Sequence, residues 1–149
     1  MNRKERRTLR KDKDLIKELY SIILKYFPQL LNMFENLTDL RNQSYVTYKM
    51  KTICVTRLFG FLCGLTTMTD ISSDVFNTDN CIKNLSKICG QNIEEIPYWE
   101  TIQDVFININ TDELRNIQKY IVKALIRSKM FDKYRFNGCF QLLFDGTGL

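Results

Sequence analysis

Residues 97–127 read PYWETIQDVFININTDELRNIQKYIVKALIR, and the period of their apolar side chains decides the fold class. Trp99, Ile102, Val105 and Phe106 fall at helical spacing, and Pro97 fits a first helical turn, where a missing N–H costs nothing. The triplet Thr111-Asp112-Glu113 then supplies a capping hydroxyl and two acids that suit the positive end of a helix dipole. Leu114, Ile117, Ile121 and Leu125 form the buried side of the longer helix that follows.

The same period runs towards the N-terminus. Cys81, Ile82, Leu85, Ile88 and Cys89 give one apolar face, with Asn77, Thr78 or Asp79 as its cap and Gly90 as its stop. Residues 66–80, TTMTDISSDVFNTDN, hold three acids, no base and many hydroxyls, which predicts a loop or short broken helices. Tyr45, Tyr48, Cys54, Leu58, Phe61, Leu62 and Leu65 predict a longer helix over 44–65, the central buried one. Leu30, Leu31, Phe34 and Leu37 predict a short helix ending near Thr38-Asp39. Leu15, Ile16, Leu19, Ile22, Ile23 and Tyr26 predict another, closed by Pro28. The fold class is mainly α.

Composition narrows the function classes. A chain of 149 residues with 44% hydrophobic and 12% aromatic side chains can bury one core and reads as one domain plus tails. It has no histidine, which removes imidazole catalysis and the commonest metal ligand. Cys54, Cys63, Cys81, Cys89 and Cys139 form no CxxC pair, so zinc ribbons and thioredoxin-type motifs are excluded and reduced, mostly buried thiols are expected. Lys17, Glu18 and Lys25 break the first apolar stretch as a signal-peptide core. Residues 53–65 are too short and, with Arg57, too charged to span a bilayer, which takes about 20 apolar residues. The expectation is a soluble, cytoplasmic protein.

Charge is concentrated in two places. Residues 1–13 hold Arg3, Lys4, Arg6, Arg7, Arg10, Lys11 and Lys13 against Glu5 and Asp12, while the other 136 residues hold 15 basic and 15 acidic side chains. The whole net charge of +5 therefore sits in a basic arm that suits nucleic acid or an anionic membrane, or is simply a solvated terminus. The second place is a ladder: Arg115, Lys119, Lys123 and Arg127 fall at four-residue steps opposite the apolar side of their helix. Like charges so spaced cost about 0.2–0.5 kcal/mol per pair. Either an anion such as a phosphate backbone relieves that repulsion, or Glu94, Glu95 or Asp104 from neighbouring segments does. Residues 79–108 also offer a helix-turn-helix pattern, although the connector 90–97 is long and the second helix carries Glu100 and Asp104. Tyr98 and Trp99 read as core or rim aromatics rather than base-stacking platforms.

The tail changes period. Residues 139–144, CFQLLF, form a nearly continuous apolar run bounded by Asn137-Gly138 and Asp145-Gly146, as in a strand buried on both faces or a short hairpin. Asp145 directly after that run stands where α/β sheets place ligands and metals, and Gly146 and Gly148 would allow close approach; Asp-Gly is also an ordinary turn.

The stretch IPYWETIQDVF, the basic helix and YRFNGCFQLLFDGTGL together resemble the front of a bacterial insertion-sequence transposase of the DDE type over roughly residues 40–149. The resemblance implies a helical N-terminal region leading into an RNase-H-like sheet, whose first strand ends in a catalytic aspartate, here Asp145, within Asp-Gly-Thr. In that family three carboxylates hold two magnesium ions for in-line attack on a phosphodiester. The second aspartate and the glutamate are not among these residues, so the expectation is a truncated, catalytically incomplete transposase, with Asp145 as metal ligand in an intact relative. The implied organisation is a basic arm at 1–13, a helical DNA-binding region at 14–135 and the first catalytic strand at 136–149. The implied partner is double-stranded DNA, at transposon ends or non-specifically, with a homodimer allowed. A helical module for an acidic protein partner and a basic peripheral membrane-binding protein are the rival readings.

Overall fold

Helix α3, Met50–Leu62, is enclosed by its neighbours, and the computed structural model is arranged around it. It describes residues 15–72 and 76–141, with side chains from Lys17 onward. The basic arm, the residues after Gln141 and Asp145 lie outside these limits. Among the described residues the other helices are α1 Leu15–Tyr26, α2 Leu30–Glu35, α4 Asp79–Cys89, α5 Trp99–Asn108 and α6 Thr111–Arg127. Single 3-10 turns occupy Gln43–Tyr45, Thr69–Ser72 and Asp132–Tyr134. The fold is mainly helical, as the apolar periods imply.

Five consecutive α3 residues, Thr52, Ile53, Cys54, Val55 and Thr56, are buried, and Phe59 has no exposed surface. Helices α1, α2, α4 and α5 all pack against α3. A helix covered on all sides needs apolar residues all round, not one stripe. That corrects the face expected for residues 44–65. Tyr45 lies outside the helix and is 84% exposed, while Phe61 and Leu62, at the far end, are also exposed. Lys49 is extended (φ −62°, ψ 156°), so the helix starts at Met50 and its register excludes Tyr45 and Tyr48.

The start of α3 is capped from elsewhere. The Gln91 Oε1 accepts hydrogen bonds from the Lys49 N–H at 3.1 Å and the Thr52 hydroxyl at 2.6 Å. Its Nε2 donates to the Thr47 carbonyl at 2.7 Å. Gln91 follows α4, so one side chain joins the end of α4 to the beginning of α3.

The other boundaries follow local chemistry with small shifts. Thr78 caps α4 by accepting from Cys81 N, and Gly90, left-handed at φ 64°, ends it. Pro97 is buried one residue before the N-cap Tyr98 of α5, not inside the first turn as expected. The Ser72 hydroxyl takes the Trp99 N–H at 3.2 Å in place of a local cap. Asn110, not Thr111, caps α6 through Asp112 N at 2.9 Å. Helix α2 ends at Glu35 rather than near Thr38, yet Leu37 is buried from the loop. At the end of the described chain, Phe136 and Cys139 exchange both backbone hydrogen bonds across Asn137 (φ 49°) and Gly138 (φ 79°). Two positive φ angles define the turn type that suits a tight hairpin.

The thiols differ from one another more than the expected buried set. Cys54 and Cys89 are buried, Cys63 and Cys81 half-buried, and Cys139 exposed; all five are free. Burial pushes the Cys54 thiol up to about 12 and the Cys89 thiol up to about 11. A disulfide reagent at pH 8 should therefore modify Cys139 first and reach Cys54 and Cys89 only on unfolding, as peptide mapping would show. Replacing Gln91 with Ala strands the buried Thr52 hydroxyl and should lower stability by about 1–3 kcal/mol in urea titrations.

Candidate nucleic-acid interface

Helix α6 is fastened to the body at two points on its inner side. The Glu113 carboxylate accepts from the Thr38 N–H at 2.9 Å and the Thr38 hydroxyl at 2.6 Å. Two turns later the Tyr120 hydroxyl accepts the Gln29 N–H at 3.1 Å. Between them Ile117 is buried, with Leu114 and Ile121 packed against the core. The loop that carries Thr38 is itself fixed. Arg41 donates to both Asp39 oxygens at 2.8 and 2.7 Å and to the Tyr48 carbonyl at 2.8 Å. That guanidinium holds the Asp39 carboxyl below the usual carboxylate range.

Fixing the inner side sends the ladder outward. Arg115, Lys119, Lys123 and Arg127 are all exposed. Four residues exceed one helical turn, so successive rungs rotate by about 40° and the stripe winds slowly around α6. Arg115 pairs with Asp112 at 2.9 Å, but both side chains are well exposed, so the pair adds little. None of the ion pairs among the described residues reaches Lys119, Lys123 or Arg127. Glu94, Glu95 and Asp104 do not neutralise the ladder. Glu94 and Glu95 stand beside Tyr48, whose hydroxyl they help push up together with burial. Asp104 lines a hollow with Asp39, Leu40 and Asn108.

The other sequence candidates fall differently. Helices α4 and α5 each dock on α3, and α5, the second helix of the 79–108 pair, exposes Glu100 and Asp104 rather than basic side chains. Trp99 is half-buried with Tyr98 exposed beside it, their rings 6.0 Å apart. Arg3, Lys4, Arg6, Arg7, Arg10, Lys11 and Asp145 lie outside the described residues. Among the described residues no three His, Cys, Asp or Glu side chains gather to hold a metal ion, so these residues do not themselves compose a two-magnesium centre. No helix among them is long and apolar enough to cross a membrane. The Thr38–Glu113 and Gln29–Tyr120 contacts had no sequence signal beyond the acid in a first helical turn, because each joins residues 75 or more positions apart.

A family model described as DDE_Tnp_1-associated matches residues 31–120, from α2 to the second fastening point of α6. No curated protein and no solved structure matches the chain.

The Glu113 contact gives a pH test. The Thr38 hydroxyl and N–H hold this carboxyl below its usual 4.5. A depressed folded value means the stabilisation is present above the unfolded value and is lost as pH falls through the lower folded one. Melting temperatures of wild type and Glu113→Gln should therefore differ at neutral pH and converge below pH 4.5.

Proposed function

The chain belongs to the DDE_Tnp_1-associated family, which marks the N-terminal region of DDE-type transposases, and on that premise we propose that its helical region binds double-stranded DNA. The observation that carries this reading is the face of α6, where Lys119, Lys123 and Arg127 project from a helix fastened along its first half, with no acidic partner among the described residues. Such a face carries mutual repulsion of about 0.2–0.5 kcal/mol per pair that phosphates would relieve. Counterions released from the duplex add a salt-dependent attraction. Arg115 continues the stripe, and Arg3, Lys4, Arg6, Arg7, Arg10 and Lys11 extend the attraction from the arm without reading sequence.

In this reading residues 1–13 are the arm, 14–135 the DNA-binding region and 136–149 the entry into a catalytic domain. Asp145 is the first metal-ligating carboxylate of that domain. Magnesium would supply the strand-transfer chemistry there, and one carboxylate cannot hold two ions, so no catalytic step is assigned to these residues.

Replacing Lys119 and Lys123 with Gln keeps helix propensity and removes two charges. Each true phosphate contact contributes about 0.9 to the slope of log affinity against log salt, so the slope for duplex DNA should fall by nearly two. Thermal stability should be unchanged or slightly higher. A variant that unfolds early and keeps the wild-type salt slope would mark the ladder as a structural face instead.

A further inference from the structure

Past Ile121 no α6 side chain joins the core, yet the chain stays rich in apolar and aromatic residues. Lys129 turns the chain with a left-handed φ of 57°, the Asp132–Tyr134 3-10 turn follows, and the Asn137-Gly138 hairpin closes it. This series of tight turns displays four rings within ten residues. Phe131 and Tyr134 sit 6.5 Å apart. Tyr134 and Phe136 are 66% and 63% exposed. Cations are threaded among the rings: Lys133 Nζ lies 4.8 Å from the Tyr134 ring centre and the Arg135 guanidinium 4.6 Å from that of Phe140. Arg135 also pairs with Asp132 at 2.9 Å, while Lys129 has no ion pair among the described residues.

Exposed rings gathered in so short a segment suit a binding surface. Its occupant must offer flat apolar faces at short intervals, joined by negative charge. A single nucleic-acid strand does both, because each base has a stacking face and each link a phosphate; a duplex keeps its base faces to itself. The patch also follows the ladder directly in the chain, since Arg127 ends α6 two residues before Lys129. We propose that residues 129–140 form a site for unpaired nucleotides, with bases stacked on Tyr134 and Phe136 and phosphates on Lys129 and Lys133. The site rests on the DNA-binding reading of α6 and adds to it a preference for strand that is already opened.

The test uses the full chain, a fluorescent oligothymidylate of about 16 nucleotides, near the upper end of known single-strand site sizes, and a duplex of equal length. Changing Tyr134 and Phe136 together to Leu keeps apolar bulk and removes both rings. Single-strand affinity should fall roughly five- to hundredfold for each stacked base lost, duplex affinity should hold, and Tyr134→Phe should bind like wild type. An equal loss on both DNAs, or no loss on the single strand, overturns the site. So does binding of anionic phospholipid vesicles, or self-association by light scattering, that the Leu variant keeps while wild type ignores the oligonucleotide. Both residues are exposed, so the fold should survive; if the double variant melts early, each single Leu variant carries the same comparison. Loss of wild-type duplex binding would instead count against the broader reading, which the ring variants leave untouched.

Discussion

The all-round burial of α3 over Thr52–Thr56 is the constraint from which the rest of the architecture follows. A helix enclosed all round cannot be built by one neighbour, and here α1, α2, α4 and α5 each take a share of its surface. Its two buried threonines show how tight that enclosure is. Thr52 finds the Gln91 side-chain oxygen, whereas the buried Thr56 hydroxyl has no hydrogen-bond partner among the described residues. Leaving a hydroxyl unpaired in a core costs about 1–3 kcal/mol, a sacrifice tolerated where apolar contacts on all sides outweigh it. Helix α6 stands outside this arrangement: it leans on α2 and is fixed by polar contacts, which leaves its outer face free for charge.

Much of the architecture could be read from local chemistry. Thr78 and Gly90 bound α4 where sequence rules place them, and Leu114, Ile117 and Ile121 turn inward on α6 as their spacing implies, whereas Leu125, the fourth of that set, does not join the core. The central helix was legible in position but not in orientation, because an amphipathic period carries no information about a helix with neighbours on every side. Ile53, Val55 and Phe59 therefore displaced Tyr45, Phe61 and Leu62 as the residues that matter. Boundaries set by distant partners were illegible for the same reason: Gln91 on Lys49 and Ser72 on Trp99 are contacts that only the folded chain creates.

The candidate site divides along the same line. The ladder could be read directly, since a four-residue period of like charge is a one-dimensional fact. Whether it was neutralised could not, because that depended on where Glu94, Glu95 and Asp104 came to lie. The rings of residues 131–140 were present in the sequence from the start, but nothing in their spacing distinguishes rings that enter a core from rings left in water. Asp145 depends on resemblance alone.

The fastening of α6 has a mechanical side. Glu113 and Tyr120 anchor its first half, and the last core contact is made by Ile121. The remaining six residues, 122–127, extend about 9 Å beyond the last support as a cantilever. A stiff rod held near one end turns small angular play at its anchor into larger travel at its tip. The turns of residues 129–140 are joined to that tip, close behind the basic stripe. An anion that clamps Lys123 or Arg127 would act as a second bearing and remove that freedom. In such a beam, gripping a ligand and steadying the tip are one mechanical event.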